Sequence, residues 1–172
     1  FDGFVTAEPG VLVTVGVADC VPALLWAPEH PAVALLHAGW RGVAAGIVPS
    51  AVREMVSRYG IEPDGLRAWW GPAIGPCHYP VGEEVVDAIR ETAAGPGTDS
   101  WVRRDAGNGS GPRVDLRAAL TRQAVAVGVP AKAIAASGDC TACEPDRYHS
   151  YRYEDGGGGR MVAYAGIPGR EP

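Results

Sequence analysis

The chain has 172 residues, a formal net charge of −5 and 47% hydrophobic residues. That suits one domain with a sizeable core and is too apolar for a disordered chain. The acidic balance argues against an electrostatic nucleic-acid footprint, no apolar run reaches the ~18 residues of a membrane span, and no secretory leader is visible.

In chain order, stretches 11–17, 22–26 and 33–37 predict strands, with Pro28 and Pro31 marking the break before the third. The first would deliver Cys20 at its end, and the third delivers His37 at its own. Side chains at the carboxyl ends of adjacent strands converge at one sheet edge, where α/β proteins build their sites. Gly39 and Gly42, around Trp40 and Arg41, suit a tight strand-to-helix turn. A cysteine on an apolar stretch is ordinarily a small buried hydrophobe. Here the pairing with His37, and Asp19 beside the thiol, favour a site: a transition-metal pair or a cysteine–histidine catalytic pair.

Val43, Ile47, Val52, Met55 and Val56 recur at helical spacing, with Pro49 kinking or restarting the helix. Residues 66–70 predict a short buried strand, and 82–94 a second helix with Glu83 and Glu84 in its first turn. A Gly/Ser/Asn stretch at 107–111 reads as a surface loop. Residues 115–127 predict a third helix stopped by Gly128 and Pro130, and 161–167 a final strand after the glycines at 156–159.

Two further clusters carry chemistry. Gly71, Pro72, Gly75 and Pro76 surround Ile74 and lead into Cys77, His78 and Tyr79, a loop that brings backbone N–H groups close to a ligand. Adjacent Cys77 and His78 are expected to send at most one side chain to a given ion. Cys140-Thr141-Ala142-Cys143 is a lone CxxC, readable as half a zinc site, a redox pair or two buried thiols. With no second CxxC, a closed four-cysteine site is excluded. Arg152 in Ser150-Tyr151-Arg152 can offer a guanidinium to phosphate or carboxylate. Four cysteines without an export signal point to reduced or metal-linked thiols and to a cytoplasmic protein.

The run Ala18-Asp19-Cys20-Val21-Pro22, the block His37-Ala38-Gly39-Trp40-Arg41-Gly42 and Gly71-Pro72-Ala73-Ile74-Gly75-Pro76-Cys77 resemble the laccase-domain family. That family was called multicopper polyphenol oxidase and is also described as purine nucleoside phosphorylase or peptidoglycan editing factor. Cys140-Thr141, Ser150-Tyr151-Arg152 and Gly159-Arg160-Met161 fit its C-terminal pattern in order. The resemblance implies zinc held by two histidines and a cysteine, the cysteine and second histidine matching Cys20 and His37. The first histidine belongs to a Gln-Val-His-like motif absent from this sequence. The expectation is therefore one laccase-family domain over 1–172, lacking its N-terminal portion, with the third ligand upstream of Phe1. His78 is the local substitute and is not expected to serve.

The implied activity is a zinc-dependent purine nucleoside phosphorylase with adenosine deaminase activity, taking a purine nucleoside and phosphate, with neither nucleic acid nor membrane as partner. Cys20, His37, Asp19 and Arg41 form the expected catalytic set, with Asp19 orienting a ligand or carrying a proton. Cys77, Tyr79 and Arg152 are expected to bind substrate, Arg41 and Arg152 being suited to phosphate oxygens. Two other enzymes compete: a cysteine hydrolase editing peptidoglycan, with Cys20 as nucleophile and His37 as base, and a copper-dependent polyphenol oxidase. Multicopper chemistry needs many histidines, and only His30, His37, His78 and His149 are present. A non-enzymatic binding protein is the remaining class. The expected architecture is α+β, a mixed sheet packed by helices with the site at strand ends.

Overall fold

A computed structural model of the protein describes residues 2–93, 99–104 and 111–169. The first half holds β1 (Gly3–Thr6), β2 (Leu12–Val17), β3 (Val21–Ala27), β4 (Ala32–Ala38), α1 (Trp40–Ala44) and α2 (Ile47–Tyr59). There follow β5 (Arg67–Trp70), α3 (Glu83–Arg90), β6 (Val102–Arg103), β7 (Arg113–Val114), α4 (Leu116–Ala126), β8 (Ile134–Ala136) and β9 (Met161–Gly166).

Five strands form one mixed sheet in the order β1-β4-β3-β5-β8. Its pairings are antiparallel except β5 with β8, which run parallel. β3 and β4 are apolar along nearly their whole length because both faces are covered, so they read as continuous runs rather than alternation. Leu25, Ala34, Met55, Leu66, Trp70, Ile89 and Leu120 belong to the main core between sheet and helices. The expected α+β class holds.

β2 departs from expectation. It leaves the main sheet and pairs with β9 as an antiparallel ribbon, from Leu12↔Gly166 to Val17↔Met161. Its alternation explains this: Val15 and Val17 point inward onto Leu35 of β4, while Leu12 and, on β9, Val162 and Tyr164 face solvent. The strand adjacent to His37 is therefore β3, and Cys20 leads into it rather than ending β2 in the same sheet.

The Pro49 break resolves as a restart. α1 ends, Gly46 takes a left-handed φ of 70°, and α2 begins with Pro49 in its first turn, where the missing N–H costs nothing. α2 buries Val48, Ala51, Val52 and Met55. α3 is shorter than the predicted 82–94, ending at Arg90; Ala94 and positions 107–110 of the predicted loop lie outside the described residues. α4 starts where its cap dictates: the Asp115 carboxylate accepts from the N–H groups of Arg117 and Ala118 at 3.0 and 3.1 Å.

Candidate functional site

The antiparallel register of β3 and β4 builds the site. Val21 lies opposite Ala38 and Pro22 opposite His37, so Cys20 enters the sheet beside the end of β4. The backbone of Gly39 passes so near the thiol that a Cβ there would sit 2.9 Å from Cys20 Sγ. The His37 N–H donates to the Asp2 carbonyl at 2.7 Å, and the Asp2 carboxylate stands 4.0 Å from His37 Nδ1. Cys20 and His37 share the wall of two adjoining cavities of about 260 and 300 Å³. Asp19, Trp40, Ile74 and Tyr79 line both. Arg41 and Leu116 close the first; Tyr151, Arg152 and Arg160 close the second.

Asp19 organises this region from a strained position. It is buried and holds a φ of 79°, a left-handed conformation that aspartate tolerates better than most residues. Thr141 Oγ1 donates to Asp19 Oδ1 at 2.6 Å, the Arg152 N–H donates to Oδ2 at 2.8 Å, and the Ile74 N–H donates to the Asp19 carbonyl at 3.0 Å. One residue thus ties three distant segments to the base of the cavities. Burial pushes the Cys20 thiol up, and the Asp19 carboxylate adds to the effect. Burial and the neighbouring Cys20 push the Tyr79 phenol up to about 12, against the pull of Arg152. The arginines rest on aromatic faces, Arg41 at 4.4 Å from the Trp40 ring centre and Arg152 at 5.6 Å from that of Tyr79.

A second constellation lies outside both cavities. Cys77, His78, Cys140 and Cys143 bring one ligand atom each to within 4.8 Å of one another, the donor count and spacing of a metal site. Among the described residues this is the one group of three or more potential ligands so assembled. Cys77 and His78 both contribute, contrary to expectation. They occupy a turn closed by the His78 N–H on the Gly75 carbonyl at 3.0 Å, and a turn lets adjacent side chains converge where a strand would send them to opposite faces. Burial opposes ionisation of Cys140, but the Gly75 N–H and the neighbouring thiols outweigh it and hold that thiol down at about 7.

The family described as multi-copper polyphenol oxidoreductase laccase matches residues 1–168. The chain belongs to that family. Within this laccase family the chain is 41% identical over 165 residues to the purine nucleoside phosphorylase YlmD of Geobacillus stearothermophilus, covering 96% of the chain and 59% of the relative. It is 38% identical over 151 residues to adenosine deaminase RL5 of an unknown prokaryotic organism, covering 88% and 56%. The crystal structure of YlmD from G. stearothermophilus superposes with a TM-score of 0.91 at 40% identity, over 97% of this chain and 61% of that one. The chain thus spans about 60% of the length of the YlmD it matches.

Of the residues singled out from this laccase-family sequence, Cys20, His37, Asp19, Arg41, Tyr79 and Arg152 gather around the paired cavities. Cys77 does not; it stands with His78 and the CxxC thiols. The other histidines are dispersed, His30 in the turn between β3 and β4 and His149 beside Glu154 at 3.4 Å. Asp2, Trp40, Arg160 and Thr141 were not among the expected site residues, although the last three lie in the motifs that carry the family resemblance. Trp40 was visible as the bulky centre of Gly-Trp-Arg-Gly, whereas Thr141 carries no local signal for a partner 122 residues away. No described helix is long and apolar enough to cross a membrane.

Proposed function

We propose that the cavities around Cys20 and His37 are the active site of a zinc-dependent purine nucleoside phosphorylase that also deaminates adenosine. The observation that carries this reading is the convergence of thiol and imidazole at adjoining ends of β3 and β4, with aromatic walls between Arg41 and Arg152. A thiol and an imidazole are the donor chemistry of zinc, and both line the same two cavities, so the residues fit as part of a ligand set. Cys20 and His37 would hold the ion. When bound, zinc supplies Lewis acidity, lowering the pKa of a coordinated water to about 7.

The chain's own residues divide the remaining work. Trp40 and Tyr79 offer flat apolar faces for purine and ribose. Arg41 and Arg152, pre-oriented by their aromatic platforms, bind phosphate oxygens in a fork. In phosphorolysis a phosphate oxygen bonds to the ribose C1′, the bond from C1′ to the purine nitrogen breaks, and the base leaves with a proton, giving ribose 1-phosphate. In deamination water adds at C6 and ammonia departs, giving inosine. Asp19, with both carboxylate oxygens engaged by N–H or O–H donors, acts by orienting the segments of Cys20 and Arg152 rather than by moving a proton. Cys77 has no part in this scheme.

The competing readings draw less support. A cysteine hydrolase needs a thiol that ionises readily, and the surroundings of Cys20 push the other way. A multicopper centre needs clustered histidines, and these stand apart.

Incubating the purified protein with adenosine and zinc, with and without phosphate, and separating products by chromatography tests the proposal. Adenine formed only with phosphate, or inosine without it, and loss of both in Cys20→Ala support it; no turnover of adenosine under either condition contradicts it.

A further inference from the structure

Cys77, His78, Cys140 and Cys143 have no role in the nucleoside chemistry, and none of them lines either cavity. Their geometry is nevertheless specific. A tetrahedral zinc with Zn–S of ~2.3 Å and Zn–N of ~2.0 Å places its sulfurs about 3.8 Å apart and sulfur about 3.5 Å from nitrogen. Cys77 Sγ and Cys143 Sγ are 3.6 Å apart, and His78 Nδ1 lies 3.4 Å from Cys143 Sγ and 3.9 Å from Cys140 Sγ. These three separations match edges of such a tetrahedron, and all four ligand atoms lie within 4.8 Å of one another. They are far from the ~2.05 Å of a disulfide, and all four cysteines of the chain are free thiols.

The backbone is shaped to the cluster as well. A Cβ on Gly75 would lie 3.2 Å from both Cys77 Sγ and Cys140 Cβ, so the chain passes against the ligands at a distance that favours glycine. The Gly75 N–H points at Cys140 Sγ at 3.1 Å, the kind of outer hydrogen bond that orients a metal-bound thiolate. The two loops are in register around the site: Ala73 pairs with Cys140, and the Thr141 N–H donates to the Ala73 carbonyl at 3.2 Å.

We infer that Cys77, His78, Cys140 and Cys143 form a closed, structural zinc site, separate from Cys20 and His37. Four protein ligands leave no open position, so the ion does no catalysis. It joins two loops that are far apart in sequence and fixes them relative to each other. One loop carries Ile74 and Tyr79 of the cavity walls; the other carries Thr141, the donor to Asp19. The clamp therefore fixes the active-site wall from outside.

This inference does not rest on the nucleoside reading, and its test is independent of turnover. The Cys20→Ala/His37→Ala double variant, purified from zinc-containing medium and dialysed against a mild chelator, is expected to retain about one zinc ion per chain by elemental analysis. Adding Cys143→Ala removes that zinc, whereas His78→Cys in the same background keeps it by substituting one zinc ligand for another. The wild-type protein, which needs no variant to fold, releases this zinc in addition to any held at Cys20 and His37 when its thiols are titrated with an organomercurial, so its yield to a chromogenic indicator exceeds that of Cys143→Ala by about one ion per chain. Cobalt(II) in its place gives the intense visible bands of a tetrahedral thiolate site. A zinc-free double variant, zinc retained after Cys143→Ala, or a Cys77–Cys143 disulfide in freshly purified protein would each overturn the assignment.

Discussion

Thr141 and Asp19, 122 residues apart, are joined by a hydrogen bond of 2.6 Å beneath the Cys20–His37 cavities. Thr141 is fully buried and adjoins Cys140, so this single bond connects the floor of the proposed active site to the thiol cluster. The Arg152 N–H on the other carboxylate oxygen completes the arrangement and brings the arginine to the cavity edge.

Removing that bond should cost stability and activity together. Thr141→Val keeps the shape but leaves a buried carboxylate oxygen without its donor, a loss of about 1.5–3 kcal/mol for a hydrogen bond to a charged group. Denaturant melts should record that shift, while Thr141→Ser, which keeps the hydroxyl, recovers most of it. A Thr141→Val protein as stable as the wild type would mean that Asp19 does not depend on this donor.

Gly39→Ala tests the close approach of β4's end to the thiol. The new Cβ would meet Cys20 Sγ at 2.9 Å, so the thiol or the turn must move. Overpacking of this kind costs about 1–3 kcal/mol, and a displaced ligand can reduce turnover on the order of a hundredfold. Turnover should therefore fall well beyond what the melting shift explains; unchanged kinetics would show that Cys20 need not hold its position.

The two arginines should separate phosphorolysis from deamination. Arg41→Ala and Arg152→Ala each remove a charged hydrogen-bonding group, which corresponds to roughly a tenfold or greater rise in KM for phosphate. Inosine formation, which uses no phosphate, should change less. Equal losses in both reactions would place these side chains against the nucleoside instead.

Asp115→Ala removes a cap remote from the thiols. The carboxylate satisfies two otherwise unpaired N–H groups at the start of α4, and its loss should lower stability by about 0.5–2 kcal/mol. Asp115→Ser should restore most of that in a thermal melt. A neutral Asp115→Ala would indicate that packing of Leu116 and Leu120, not the cap, fixes where the helix begins.

Much of this was legible in the chain itself. The apolar runs of β3 and β4, the break at Pro49 and the helix beginning near Asp115 are local signals, and each appears where its residues dictate. Thiol and imidazole could be brought together from the sequence because both terminate apolar stretches. The route was different, however: Cys20 meets His37 through the antiparallel start of β3, and not from the end of β2, which the inward-facing Val15 and Val17 carry into a separate ribbon. Two-residue β6 and β7 and three-residue β8 are too short to show a period. The thiol cluster was hidden for another reason. Its halves lie far apart in sequence, and convergence of Cys77 with His78 depends on a turn geometry that residue types alone do not specify.

Whether nucleoside chemistry occurs at Cys20 and His37 is decided by release of adenine from adenosine in the presence of phosphate and zinc, comparing wild type with Cys20→Ala at matched folding by circular dichroism. The wild type should give adenine, and ribose 1-phosphate equal to adenine plus any hypoxanthine, with none above background from the variant. Equal release by both proteins would contradict it, because the chemistry would then lie away from Cys20 and His37.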